Sequence, residues 1–237
     1  MKECVKKCMG QVTISCQAYE DTPLYGSDIM AKMAKCAIMG GAKAVRACWP
    51  QDIKAIRAVS KDLVIIGINK ILPEGCTDTA QCMDAIFITP TYESAVEVIE
   101  AGADIVAIDC CFKEGRTKEE LKAYIEKIKT NYPEIGIMAD CGTYEECMYA
   151  AECGVDIVST TLSGPFKKGP GPDVELIKKL HENCPVPVNG EGSIWELADI
   201  EACVEAGADM LCIGSAVTRP HEIAKRFINH NTKCREA

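Results

Sequence analysis

The stretch Ala-Gly-Ala-Asp-Ile-Val-Ala-Ile-Asp at residues 101–109 joins the end of a helical pattern to a short, unbroken apolar run. Similar joins occur at 40–46, 153–160 and 206–214, each with a glycine shortly before the apolar run. Glycine suits the left-handed position that ends a helix, and an unbroken apolar run is typical of a strand buried on both faces. The recurring join therefore predicts alternating helices and parallel strands.

The rest of the chain extends this pattern. Short apolar runs predict nine strands, at 12–16, 44–46, 64–69, 85–89, 105–109, 136–140, 157–160, 186–190 and 210–214. Helical patterns predict eight helices, at 28–39, 51–60, 92–101, 117–130, 143–153, 173–183, 194–206 and 221–229.

One of the nine strands does not fit the repeat. Residues 70–84 contain Pro, Gly and Thr without a helical period, so 85–89 is expected to be an extra strand inside a long loop. The remaining eight units predict a single (β/α)8 barrel domain over residues 1–237. An open doubly wound sheet is the alternative, but the chain lacks the glycine-rich dinucleotide motif expected of one. Segment 71–83 is predicted to be a mobile cover over the barrel mouth, with a plain surface loop as the alternative.

Composition limits the partners and the location. With 26 Lys and Arg against 35 Asp and Glu, the net charge of −9 disfavours binding to nucleic acid or to an anionic membrane. No apolar stretch approaches a membrane span, and the first residues contain no signal-peptide core, which predicts a cytoplasmic protein. The 16 cysteines include no Cys-x-x-Cys pair, and neither a metal site nor a cofactor motif is predicted. Most cysteines, Cys110 and Cys111 included, are expected to pack as small apolar side chains.

Polar residues end most of the apolar runs, where a barrel of this kind carries its active site. They form a set able to hold an anion and to move protons: Gln17, Arg46, Lys70, Asp109, Asp140, Thr160, Thr161, Glu191 and Arg219. Gly192 and Ser193 follow the seventh strand, and Gly214 and Ser215 follow the eighth. Small residues at these two turns let backbone N–H groups approach a ligand, which predicts a phosphate-binding site.

The chain resembles the N-acetylmannosamine-6-phosphate 2-epimerase family from residue 14 to about residue 227. Characteristic stretches include Gly-Ile-Asn-Lys at 67–70 and Gly-Ser-Ala-Val-Thr-Arg-Pro at 214–220. Further matching stretches lie at 15–17, 23–26, 88–91, 138–140, 160–164 and 191–192.

The resemblance implies a barrel of the ribulose-phosphate-binding type that acts in amino sugar and sialic acid catabolism. It implies interconversion of N-acetylmannosamine 6-phosphate and N-acetylglucosamine 6-phosphate by deprotonation and reprotonation at C2, without a cofactor, in a homodimer. It assigns catalysis to Lys70 and Glu191. The residues expected to contact the sugar are Gln17, Arg46, Asp140, Thr160 and Arg219.

Several positions depart from the family pattern, among them Cys110-Cys111 and Pro165-Phe166. Two alternatives therefore stay open at this point: a sugar-phosphate-binding barrel without catalytic activity, and an isomerase of another phosphate-binding barrel family. Turnover of N-acetylmannosamine 6-phosphate separates both alternatives from the epimerase.

Overall fold

A computed structural model describes residues 1–76, 82 and 84–236. Eight parallel strands pair in sequence order and close into a barrel. This confirms the predicted fold, and the strand bounds agree with the predicted ones to within two residues. The strands are β1 Val12–Cys16, β2 Ala44–Cys48, β3 Val64–Ile68, β4 Ile105–Asp109, β5 Gly136–Asp140, β6 Ile157–Ser159, β7 Val188–Glu191 and β8 Met210–Ile213.

Helices follow the strands around the outside of the barrel. They are α2 Ser27–Met39, α3 Pro50–Arg57, α4 Tyr92–Glu100, α5 Lys118–Asn131, α6 Tyr144–Glu152, α7 Val174–Asn183, α8 Leu197–Glu205 and α10 Pro220–Glu236. Two short helices were not predicted, α1 Glu3–Cys8 and α9 Ser215–Thr218. The predicted helix 221–229 ends seven residues too early, because the exposed end of α10 has no apolar period that marks it as a helix. No helix within the described ranges is long and apolar enough to cross a membrane.

The strand predicted at 85–89 is wrong. This segment forms a single antiparallel bridge, between Ile88 and Lys70, and no strand. Thr89 has a φ of 46°, which turns the backbone out of the extended conformation. The predicted cover at 71–83 includes residues 77–81 and 83, which lie outside the described residues.

The glycine joins have the geometry that their sequence predicts. In the first quoted join, Gly102 has a φ of 108°, and its N–H donates to the carbonyl of Ile99. The N–H of Ala103 donates to the carbonyl of Val98, which completes a Schellman motif at the end of α4. The same pair of hydrogen bonds ends the helices before β2, β6 and β8.

The aspartate that follows three of these glycines ties the new strand to the previous one. The carboxylates of Asp104, Asp156 and Asp209 accept from the N–H groups of Ile65, Ile137 and Val188, at 2.8, 2.9 and 2.8 Å. Each of these three donors is the first or second residue of the previous strand. The join therefore ends a helix and sets the pairing of the next strand at the same time.

The barrel interior is apolar toward the amino-terminal ends of the strands. Val5 and Cys8 of α1 pack against this part of the core. Its other members include Ala44, Ile66, Ile105, Met138, Ile157 and Met210. Farther along the same strands the inward-facing residues become charged, at Arg46, Asp140 and Glu191.

Close packing surrounds the barrel as well. A Cβ on Gly67 of β3 would lie 2.5 Å from Cγ1 of Val98, so glycine is required where α4 crosses this strand. Eleven of the 16 cysteines are buried. Burial raises the pKa of the Cys16 thiol to about 12 and that of the Cys48 thiol to about 11, which keeps both neutral. These thiols act as small apolar groups, as the sequence predicts.

Candidate active site

A cavity of about 180 Å³ opens at the carboxyl ends of the strands. The structure brings together at its wall eight of the residues that the sequence singles out as site residues: Gln17, Lys70, Glu191, Gly192, Ser193, Gly214, Ser215 and Arg219. Lys70 follows β3 and Glu191 ends β7. Because these strands are four apart in a closed barrel of eight, the two side chains reach the cavity from opposite sides.

A buried ion-pair network lies beneath the cavity. Arg46 is 1% exposed and Asp140 is fully buried. The Arg46 guanidinium donates to both carboxylate oxygens of Asp140, at 3.0 and 2.5 Å, and to Oε2 of Glu191 at 2.9 Å. One guanidinium therefore orients two carboxylates, of which only Glu191 lines the cavity.

The electrostatics of this network follow from its burial. Burial alone would lower the pKa of the Arg46 guanidinium, but the charges of Asp140 and Glu191 outweigh burial and hold the pKa above its ordinary value. Burial raises the pKa of the Glu191 carboxyl, and the charge of Asp140 raises it further, although Arg46 opposes the shift. Glu191 can therefore carry a proton at a higher pH than an exposed glutamate.

The backbone and side chain of Glu191 have further partners. Thr160 Oγ1 donates to the Glu191 carbonyl at 2.9 Å and accepts from its N–H at 3.0 Å. Asn189 Nδ2 lies 3.3 Å from Oε2 of Glu191, and Thr161 donates to Asp140 at 2.6 Å. Arg46, Asp140 and Thr160 thus lie below the cavity wall and contact Glu191 or its network. The substrate contacts predicted for these three residues stay predictions.

Lys70 is held by its backbone and by its amine. The indole N–H of Trp49 donates to the Lys70 carbonyl at 3.1 Å, and the bridge to Ile88 pairs the other side of the backbone. The Lys70 amine lies 2.8 Å from Oη of Tyr19. Sequence analysis did not single out Trp49 or Tyr19, because both lie in loops outside any recognisable motif, yet both contact Lys70.

Among the described residues other than glycine, three have a left-handed backbone, and all three lie at this end of the barrel. They are Trp49, Thr89 and Ser193, with φ values of 69°, 46° and 58°. Such a conformation costs about 1–3 kcal/mol for a residue with a side chain. Each lies beside a group of the candidate site: Trp49 and Thr89 flank Lys70, and Ser193 lies in the cavity wall.

Asp109 ends β4 but does not line the cavity. Its carboxylate accepts from the amine of Lys113 at 3.1 Å and from the N–H of Cys111 at 3.1 Å. Its backbone N–H donates to the carbonyl of Ile88, so it anchors the segment that pairs with Lys70. Cys110 and Cys111 are buried, and burial raises the pKa of the Cys111 thiol, as expected of packing residues.

Metal ligands are not clustered in the part of the chain that the structure describes. No group of three or more His, Cys, Asp or Glu side chains there has an arrangement that could hold a metal ion. The cavity wall presents the amine of Lys70, the carboxyl group of Glu191 with its raised pKa, and the guanidinium of Arg219.

The chain has the (β/α)8 barrel fold, and its cavity lies at the carboxyl ends of the strands, where enzymes of this fold class carry their active sites. Residues 30–233 match the family described as "Putative N-acetylmannosamine-6-phosphate epimerase". The chain belongs to this family.

Individual relatives agree with this membership. A relative from Caldanaerobacter subterraneus subsp. tengcongensis, named "Putative N-acetylmannosamine-6-phosphate 2-epimerase", is 45% identical over 231 residues, which cover 94% of this chain and 92% of the relative. One of the same name from Clostridioides difficile is 38% identical over 94% of this chain and 96% of the relative. The solved N-acetylmannosamine-6-phosphate 2-epimerase from Clostridium perfringens is 33% identical, with a TM-score of 0.84 over 95% of both chains.

The buried network generates a stability prediction. In Arg46→Met, two buried carboxylates lose their counter-charge, and we expect a loss of about 3–5 kcal/mol in the free energy of unfolding at pH 8. Burial raises the pKa of Glu191, and in this variant the charge of Arg46 no longer opposes that shift, so Glu191 gains a proton more readily in the folded variant than in the unfolded one. The stability of this variant should therefore increase as the pH falls from 8 to 5.5. Denaturant unfolding at several pH values measures both effects.

The control is Lys32→Met, which removes an exposed ion pair with Asp28 and should cost less than about 1 kcal/mol. A loss of stability in Arg46→Met that is the same at pH 5.5 and pH 8 would contradict the proposed electrostatic cause.

Proposed function

We propose that this chain interconverts N-acetylmannosamine 6-phosphate and N-acetylglucosamine 6-phosphate. One observation carries the proposal: Lys70 and Glu191 line the same cavity from strands on opposite sides of the barrel. Membership of the epimerase family supports the choice of substrate.

The chemistry requires two proton transfers on opposite faces of one carbon. In the open-chain sugar, the proton at C2 lies next to the C1 carbonyl, which delocalises the charge left by deprotonation as an enolate. One group removes the proton from one face, and another group returns a proton to the other face. Two acid/base groups on opposite walls meet this requirement without movement of the sugar between the steps.

Glu191 and Lys70 have complementary roles in this scheme. The raised pKa of Glu191 suits a carboxyl group that donates a proton in one direction of the reaction and accepts one in the other. Arg46 keeps Glu191 oriented by a hydrogen bond of 2.9 Å. Lys70 provides the amine on the opposite wall. Arg46, Asp140 and Thr160 act on the reaction through Glu191 in this proposal.

We place the phosphate group at the turns after β7 and β8. Gly192 and Ser193 form the first turn and Gly214 and Ser215 the second, and all four line the cavity. A Cβ on Gly192 would meet nothing nearer than 3.9 Å, so the space over this backbone is open to a ligand. Gln17 and Arg219 lie on the same wall and are proposed to contact the substrate.

We also propose a homodimer. The 17 residues of α10 include none that is buried, and Phe227 and Ile228 are 68% and 64% exposed. A mainly apolar groove of about 360 Å³ lies beside α2, and its wall includes Val12, Ile14 and Met33. A second copy of the chain would cover apolar surface of this kind.

The epimerase mechanism is tested by solvent exchange at C2. In D₂O, the unchanged protein should convert either epimer with loss of the C2 proton signal in NMR. In Glu191→Gln, we expect inversion to fall by at least about 1,000-fold, while one epimer still exchanges its C2 proton through Lys70. In Lys70→Met, the other epimer alone should exchange. Inversion at the normal rate in either variant would contradict the two-group mechanism.

Glu145→Gln is the matched control for this experiment, because Glu145 is exposed at the start of α6. It should epimerise and exchange both sugars like the unchanged protein. Absence of turnover in the unchanged protein would favour a binding protein or an isomerase of another substrate.

The phosphate site is tested by Gly192→Ala. Gly192 has a φ of 108°, so a side chain strains the turn that is proposed to bind the phosphate. We expect KM for the sugar phosphate to increase about tenfold, which corresponds to about 1.4 kcal/mol, with a smaller change in kcat. Gly10→Ala introduces a similar strain at the opposite end of the barrel and should leave KM unchanged. An unchanged KM in Gly192→Ala would argue against this site.

The homodimer is tested by sedimentation velocity. The unchanged protein should sediment as a dimer, and Phe227→Asp should shift it toward the monomer, because a charge at an apolar interface is costly to bury. Phe166→Asp alters a phenylalanine of similar exposure, 63%, away from α10 and should remain dimeric. A monomer in the unchanged protein would refute the proposal.

A further inference from the structure

We propose that Tyr19 is a positioning residue that holds the Lys70 amine at one wall of the cavity, apart from Glu191. The inference rests on the proposed epimerase function, because that reaction needs the two groups on opposite faces of the sugar. Its basis is the 2.8 Å hydrogen bond between Oη of Tyr19 and Nζ of Lys70.

Tyr19 is itself fixed by two neighbours. Its ring packs edge-on against the ring of Trp49, with centroids 5.6 Å apart and an interplanar angle of 83°. The Arg219 guanidinium lies 5.8 Å from the centre of the Tyr19 ring. Trp49 also donates its indole N–H to the Lys70 carbonyl. The Tyr19 and Trp49 pair therefore holds both the backbone and the amine of Lys70.

The two proposed acid/base groups have separate partners. Glu191 pairs with Arg46 at 2.9 Å, whereas Lys70 bonds to Tyr19. Within the described ranges, no ion pair joins Lys70 to Glu191. Such a pair would close the space that the sugar must enter, and it would neutralise the carboxylate with the amine. Separate partners keep the cavity open and both groups available.

A phenol suits a partner whose protonation changes during turnover. When Lys70 is an ammonium, the Tyr19 oxygen accepts a hydrogen bond from it. When Lys70 is a neutral amine, one of its N–H groups still donates to the Tyr19 oxygen, which leaves the amine lone pair free to accept the C2 proton. The amine therefore keeps its position in both states, and the uncharged phenol does not favour the ammonium as the negative charge of a carboxylate partner would.

The test removes the hydroxyl and keeps the ring. In Tyr19→Phe, the ring can retain its contacts with Trp49 and Arg219, while the bond to Lys70 is lost. We expect kcat to fall by about 10- to 100-fold with KM within about twofold of normal. In Tyr19→Leu, the aromatic surface beside Arg219 is lost as well, and KM should also increase. Tyr25→Phe is the control, because Tyr25 is exposed and bonds to Glu20 instead.

Half-reactions distinguish positioning of Lys70 from a general loss of structure. Tyr19→Phe added to Glu191→Gln should slow the C2 exchange that Lys70 catalyses by at least about tenfold. Added to Lys70→Met, it should leave the exchange that Glu191 catalyses within about twofold. Equal slowing of both exchanges, or an unchanged kcat in Tyr19→Phe, would overturn the proposal.

A second measurement does not depend on activity. Acylation of Lys70 by an N-hydroxysuccinimide ester, quantified by mass spectrometry, should be at least about threefold faster in Tyr19→Phe than in the unchanged protein or Tyr25→Phe, because the amine is no longer held. If acylation is faster in Tyr19→Phe but the unchanged protein has no epimerase activity, the Tyr19 contact is supported and the proposed function is rejected. Equal acylation rates would reject the contact itself.

Discussion

The barrel depends on the hydrogen bonds made where each helix turns into the next strand. At three of these joins, a glycine ends the helix in a left-handed conformation, and an aspartate two residues later accepts from the first or second N–H of the previous strand. One short sequence thus ends the helix, reverses the chain direction and fixes the register between two parallel strands. Parallel strands are not adjacent in sequence, so a local device that fixes their pairing has a large effect on the fold. The join before β2 has Lys43 at the aspartate position, and its carbonyl accepts from the N–H of Val64 at the start of the next strand, β3.

This register determines where the charged residues meet. Strand pairing places Asp109 beside Asp140, yet their carboxylates have different partners. Asp140 faces Arg46 within the barrel, while Asp109 bonds to Lys113 outside the cavity. The amino-terminal part of the interior is packed with apolar side chains, so the charged network is confined to the end where the cavity opens. A single arginine there satisfies two carboxylates, and only one of them reaches the cavity.

Much of the architecture follows from sequence, because its signals are local. Gly102, Gly154 and Gly207 mark helix ends, and the apolar runs after them mark strands with bounds close to the observed ones. The segment 85–89 shows the limit of such signals. Its residues are as apolar as those of a strand, but its backbone bonds to the backbone of residues 69, 71, 82 and 109, and Thr89 bends the chain. The site, too, is predictable only where the signal is local. A position at a strand end predicts that Arg46, Lys70 and Glu191 lie near the mouth, but not that Arg46 is buried below it. Tyr19 reaches Lys70 across 51 residues of sequence, and no local pattern encodes that contact.

The left-handed conformations of Trp49, Thr89 and Ser193 imply a compromise between stability and activity. Glycine tolerates this backbone better than these residues do, so a protein selected only for thermal stability would tend to lose their side chains. The indole of Trp49 and the hydroxyl of Thr89 nevertheless make hydrogen bonds that fix Lys70 and the residue before it. The backbone strain of Trp49 and Thr89 is therefore retained because these residues hold Lys70 in place. Engineering for heat resistance should therefore begin at the opposite end of the barrel, where stabilising changes do not compete with the placement of Lys70.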